Sequence, residues 1–231
     1  MAHYFENEGL AQSEEKKVKA VIQNKIFTFI TDNNVFSKSG LDFGTRTLLE
    51  SIDVTKLNGK ILDFGCGYGP IGIFLATHNL DVAMIDVNIR ALNLAKKNAQ
   101  LNRVNVNIFE SNIYENVNRK YDYIITNPPI RVGKKILYEI LFGAKEYLID
   151  GGHLILVVHK DQGAKSLAKD LEKSYQVKIL QKNKGFYVSD CENSLTIWLH
   201  FAKIINWWHV YFLYILKIVY GVKQWLIQLK K

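Results

Sequence analysis

A chain of 231 residues with 48% hydrophobic side chains is long enough for one large domain, or a domain with an appendage. Its composition excludes a disordered tail or a disulfide-stapled miniature. The formal net charge is +8, but residues 201–231 hold five lysines and no acid, so the rest carries only +3. That balance permits an anionic partner without demanding one.

Cys66 and Cys191 are far apart and lack zinc-ligand spacing, so neither a metal site nor a disulfide framework is expected, and a reducing cytosol is the default compartment. Residues 1–15 are polar and acidic, without the basic start and apolar run of a secretory signal. In chain order, Lys25–Ile30 has strand character and is followed by turn residues Asp32, Asn33 and Asn34. Thr45 is placed to cap a short helix through Leu48 and Leu49.

From Lys60 onward strands and helices alternate. Strands are predicted at Ile61–Phe64, Val82–Asp86, Val104–Phe109, Tyr121–Thr126 and Gly152–His159, with helices at Ile71–His78, Ala91–Leu101, Ile136–Leu148 and Ala164–Ser174. Gln176–Leu180 and Phe186–Val188 make two closing strands. Such alternation means βαβ units: an α/β fold with a mostly parallel, doubly wound sheet and helices on both faces. The organisation expected is a leader over residues 1–50, a catalytic domain over 51–190 and a tail over 191–231.

The first strand runs into Asp63-Phe64-Gly65-Cys66-Gly67-Tyr68-Gly69 and then a helix. Glycines here let the backbone turn tightly and a ligand approach the helix N-terminus. Gly65, Gly67 and Gly69 give GxGxG, a turn used for S-adenosylmethionine; Gly67, Gly69 and Gly72 give GxGxxG, a dinucleotide pattern. Asp63 tips the balance, because a carboxylate there repels a pyrophosphate but suits the ammonium of a methionine moiety. Asp86, ending the second strand, is placed to accept from both ribose hydroxyls. Asn112, after the third strand, suits the amino and ring nitrogens of adenine, with Ile113 packed on the ring. Ordinary strand-end and turn roles compete at each of these positions.

Asn127-Pro128-Pro129-Ile130 follows the fourth strand and is the most specific signal in the chain. Two prolines remove two donors and hold the adjoining carbonyls rigid. If the Asn127 side-chain oxygen and the Pro128 carbonyl accept the two protons of a planar amine, its nitrogen can pyramidalise and aim its lone pair at a methyl group. Positioning supplies most of such catalysis. Arg131, Lys134 and Lys135 come next, and three cations beside a catalytic edge suit RNA phosphates. A solvated helix start is the competing reading.

These residues resemble the class I S-adenosylmethionine-dependent methyltransferases with an NPP motif, and more closely the RsmC-like small-domain enzymes that modify guanine N2 in 16S ribosomal RNA. The resemblance rests on Val35-Phe36-Ser37-Lys38 with Leu41–Thr45, on Leu62–Gly72, and on Ser111-Asn112 with Asn127–Lys135, and spans about residues 1–188. It implies a Rossmann-like fold, S-adenosylmethionine as cofactor, ribosomal RNA or the small subunit as partner, and a cytoplasmic enzyme. It also implies that Asp63, Gly65, Gly67 and Gly69 take the methionine end, Asp86 the ribose, and Asn112 and Ile113 the adenine. Asn127 and Pro128 would grip the target amine, with Phe36, Pro129 and Ile130 against the base. The family often has an aromatic where Ile130 stands, which leaves Phe36 to cover the base. Two alternatives stay open: a glutamine side-chain amide as acceptor, and an RNA- or membrane-binding protein that keeps the fold without turnover.

By the same resemblance the chain should end soon after Val188, yet some forty residues follow. Ile204–Leu216 is an uncharged run of 13, rich in Trp and Tyr. Three readings stand: an interfacial helix giving weak membrane association, a helix packed on this domain or on a second copy, or an extension without a selected role. The third would leave the final strand truncated.

Overall fold

A computed structural model describes residues 13–33, 35, 37 and 40–194. The chain divides into two compact units, residues 1–193 and 194–231. In the first, a hairpin of β1 (Lys16–Ile22) and β2 (Lys25–Thr31) precedes a seven-stranded sheet. The sheet strands are β3 (Lys60–Phe64), β4 (Asp81–Asp86), β5 (Asn107–Glu110), β6 (Tyr121–Thr126), β7 (Leu148–His159), β8 (Gln176–Asn183) and β9 (Phe186–Asn193). The helices are α1 (Phe43–Ser51), α2 (Pro70–Ala76), α3 (Ile89–Leu101), α4 (Lys134–Tyr147) and α5 (Ala164–Leu171).

The strand order is β5-β4-β3-β6-β7-β9-β8, parallel through β7 and antiparallel at β9 and β8. Alternating side chains feed two cores, as the pleat requires. Ile61 and Met84 face one way, toward α1, α2, α3 and the hairpin; Leu62, Ala83 and Ile85 face the other, toward α4 and α5. The winding reverses between β3 and β6, so their carboxyl ends border the crevice where open α/β sheets bind ligands.

Four details differ from the sequence expectation. Asp42, not Thr45, caps α1: its carboxylate accepts from the Thr45 backbone N–H, while Thr45 itself lies inside the helix. β5 begins at Asn107 rather than Val104, because the Val104 N–H still closes the end of α3 on the Ala99 carbonyl. Lys16–Ile22 forms a strand that was not predicted; its lysines mask an alternation that buries Ala20 and Ile22. The closing strand expected over Phe186–Val188 runs further. β9 runs to Asn193, pairing with β7 throughout, and the Asn193 amide donates to the Ile149 carbonyl at 2.9 Å.

The hairpin is fastened by side-chain amides. The buried Asn98 of α3 accepts from the Ile30 N–H (2.6 Å) and donates to the carbonyls of Ile30 (2.9 Å) and Tyr68 (2.8 Å). One side chain thus joins β2, α3 and the glycine-rich turn. Asn102 donates to the Thr28 carbonyl, and Gln23 to the carbonyls of Leu49 and Ile52. Among the described residues, no helix is long and apolar enough to cross a membrane, and no group of three His, Cys, Asp or Glu side chains could hold a metal. The three tail readings fall on residues outside those described.

Candidate active site at the switch point of the sheet

The glycine-rich turn leaves β3 and enters α2 with Gly65, Gly67 and Gly69 at φ of 68°, 57° and 97°. Side chains at Gly65 and Gly67 would meet nothing within 4 Å, so both lie open toward the crevice. Gly69 faces inward: a Cβ there would stand 2.8 Å from Met84 and 2.9 Å from Ile73. The φ of 97° is what requires glycine there, since the atoms met are the far ends of flexible side chains, whereas Gly72 is pressed at 2.6 Å by Met84 Cγ and Sδ.

Asp63 is fully buried beneath this turn. Its Oδ2 accepts from the Gly72 N–H at 2.8 Å, whereas Oδ1 has no partner among the described residues. Burial pushes this carboxyl up to about 7, against the Gly72 hydrogen bond, and the nearby Asp86 charge adds to the rise. A buried acceptor with nothing to accept is expensive, and a cation with N–H donors is what it lacks.

Asp86 ends β4. Its Oδ2 accepts from the Gly67 N–H at 2.8 Å and its Oδ1 from the Asn88 N–H at 2.9 Å. Burial raises its carboxyl in spite of these bonds. Each oxygen keeps a second lone pair for a hydroxyl donor. The Asp86 carbonyl accepts from Ser111 N–H, which brings the loop after β5 to the same edge. There Asn112 is exposed, and Ile113 is half-buried at a φ of 52°, a left-handed value rare for a β-branched residue. Ser111 holds the bend, donating to the Ile113 carbonyl and accepting from Asn116 N–H.

Asn127 follows β6. Thr126 ties the ends of β6 and β3 together, donating to the Phe64 carbonyl at 2.9 Å. The Asn127 Nδ2 donates to Thr45 Oγ1 of α1 at 2.9 Å and to Oδ1 of its cap residue Asp42 at 3.3 Å. No donor reaches Asn127 Oδ1 or the Pro128 carbonyl among the described residues, while the Pro129 carbonyl is taken by Val132 N–H. Pro128 is buried; Pro129 and Ile130 are half-exposed, and Ile130 starts a single 3₁₀ turn.

Arg131, Lys134 and Lys135 are exposed, but not equivalent. Lys134 lies over the Tyr138 ring at 4.9 Å. Lys134 and Lys135 open α4, which has no acid in its first turn to balance them. Phe36 lies outside the described residues. Asp42 and Thr45 were not read from the sequence as site residues, although their cap spacing was the signal that places α1 beside Asn127. Tyr68 carries no signal in the sequence either: among the described residues its buried hydroxyl has no partner, and burial followed by the Asp42 charge raises its pKa.

Residues 26–190 match the family model described as the methyltransferase small domain. The chain is 42% identical to the uncharacterized protein YbxB of Bacillus subtilis over 192 residues, covering 80% of this chain and 96% of that one. It is 36% identical to the ribosomal RNA small subunit methyltransferase C of Haemophilus influenzae over 149 residues, 62% of this chain and 45% of that enzyme. The chain thus spans about half the length of that methyltransferase. Its fold matches the T. thermophilus 16S rRNA N2 G1207 methyltransferase RsmC, solved with AdoMet and guanosine, at a TM-score of 0.72 and 23% identity, covering 80% of this chain and 52% of that one. With the family model spanning most of the sequence and the glycine turn and Asn-Pro-Pro loop on one sheet edge, the chain belongs to the methyltransferase small domain family.

Proposed function

We propose that this chain transfers a methyl group from S-adenosylmethionine to the exocyclic N2 amine of a guanine in small-subunit ribosomal RNA, in the cytoplasm. The observation that carries the reading is Asn127: both ends of its amide are accounted for, with Nδ2 bound to α1 and Oδ1 left to accept, beside an unoccupied Pro128 carbonyl. The likeness to ribosomal RNA small subunit methyltransferase C gives the acceptor class.

The residues present fit the cofactor. Asp63 Oδ1 lacks a donor that the methionine ammonium would supply, Gly65 and Gly67 leave backbone room, and Asp86 keeps lone pairs for the ribose hydroxyls. Asn112 and Ile113 stand on the same edge for adenine. When bound, the cofactor supplies an electrophilic methyl on a sulfonium, which departs as a neutral thioether. The protein's own contribution is orientation. Asn127 Oδ1 and the Pro128 carbonyl hold the two amine protons, which turns the nitrogen lone pair toward the methyl without a strong base; the methylated nitrogen, now acidic, gives one of these protons to water. Pro129 and Ile130 offer apolar contact to the base, and Arg131 and Lys135 hold phosphate.

The test is transfer of labelled methyl to protein-depleted ribosomal RNA, assembled small subunits and total protein, with wild type and Asn127→Ala. The expected result is label in RNA, recovered as N2-methylguanine and lost in the variant. Label in protein instead would move the acceptor to a glutamine amide and overturn the RNA assignment.

A further inference from the structure

We propose that Asp42 and Thr45, at the start of α1, form a clamp that fixes which end of the Asn127 amide faces the substrate; this deepens the methyl-transfer reading and rests on it. A carboxylate only accepts hydrogen bonds, so the amide group against Asp42 Oδ1 must be the NH₂ end. Thr45 Oγ1 accepts the second bond at 2.9 Å. With both amide protons engaged, the planar side chain presents its carbonyl away from α1. An unclamped asparagine would turn over, and its NH₂ would then oppose the N–H groups of the amine it has to hold.

The clamp stands on a rigid element. Asp42 Oδ1 also accepts from Thr45 N–H at 3.1 Å, so the cap of α1 and the anchor of Asn127 are one carboxylate oxygen. Leu48 and Leu49 are wholly buried, and Thr45 is 3% exposed. Gly44 lets the helix start press on β9: a Cβ there would lie 2.8 Å from the Phe186 ring. Phe43 meets the same ring at a centroid distance of 5.7 Å. Thus α1 is held by the antiparallel edge of the sheet, while Asn127 comes from β6. Asp42 and Thr45 are positioning residues: they act through Asn127.

The test combines turnover, cofactor affinity and the Asn127 side-chain resonances of ¹⁵N-labelled full-length protein. Thr45→Val should lower kcat by about ten- to a hundredfold, the scale of a small misplacement of a positioning group. KM for RNA and Kd for S-adenosylmethionine should stay within about threefold, and Thr45→Ser should restore kcat. Asn127→Asp should be nearly inactive, because two carboxylates then face each other. Wild-type kcat in Thr45→Val, or parallel loss of kcat and cofactor affinity, would overturn the clamp. The resonances separate this from the reading beneath it. If wild type methylates no RNA while the Asn127 NH₂ signals shift in Thr45→Val, the methyl-transfer reading falls and the clamp stands. If those signals do not move, the clamp is wrong whatever the activity.

Discussion

A buried carboxyl with one unpartnered oxygen couples the cofactor pocket to pH. Asp63 is held up at about 7, so in the folded protein it binds a proton over a range where the unfolded chain does not. Stability without cofactor should therefore fall as pH rises from about 4 to about 7, by up to about 1.4 kcal/mol per unit, and level off above. Asp63→Asn should remove that slope, giving a gain over wild type in thermal melts that grows toward pH 7. S-adenosylmethionine affinity should move oppositely, strengthening from pH 6 to 8 as the carboxylate ionises, with proton release on binding seen by calorimetry in buffers of different ionisation enthalpy. Affinity that is flat with pH in wild type would remove Asp63 from the ammonium site. The sequence singled out Asp63 because a carboxylate before a glycine turn repels a pyrophosphate and suits an ammonium, and the structure buries it beneath that turn. It left Tyr68 illegible, because nothing in its spacing says that the ring packs on Phe29 at 5.6 Å with its hydroxyl unpartnered among the described residues. Tyr68→Phe removes a buried unsatisfied group and should raise stability by about 1 kcal/mol; a loss in denaturant titration would mean the hydroxyl has a partner in solution.

Between elements, the glycine turn is tied to α3. Asn98 of α3 makes three hydrogen bonds that bind β2 and the Tyr68 carbonyl to one point. Asn98→Ala leaves those backbone groups buried without partners and should cost about 2–4 kcal/mol. Hydrogen exchange should show β1 and β2 losing protection before the main sheet, and unchanged hairpin protection would count against this role. Such a fastening escapes sequence reading because an asparagine inside a helical pattern looks like a surface residue. The parallel strands were legible because βαβ units repeat apolar runs between turns. β1 was not, because Lys16, Lys17 and Lys19 occupy exposed positions of a hairpin whose buried side is carried by Ala20 and Ile22. The capping of α1 was misplaced for a related reason: Asp42 and Thr45 both satisfy the composition of a helix start, and only the carboxylate's bond to Thr45 N–H ranks them.

For the whole molecule, electrostatics separates binding from chemistry. Outside the tail the net charge is small, so attraction for RNA must come from local cations rather than from a uniform field. Arg131 and Lys135 are exposed beside the Asn-Pro-Pro loop, whereas Lys134 is already placed over Tyr138. At the start of α4 the lysines sit against the positive end of the helix, an arrangement unfavourable alone and relieved by a phosphate. Each phosphate contact to a single strand contributes about 0.7 to the slope of log affinity against log salt. Arg131→Ala with Lys135→Ala should therefore flatten that slope by about 1.4 and weaken RNA binding, leaving S-adenosylmethionine affinity unchanged, while Lys134→Ala alone should change the slope by less. Filter binding of ribosomal RNA fragments from 50 to 300 mM salt would measure this. Equal slopes for wild type and the double variant would remove this edge from the RNA path. A flattened slope with retained turnover at saturating RNA would place Arg131 and Lys135 in holding the strand, and leave the amine to Asn127 and Pro128.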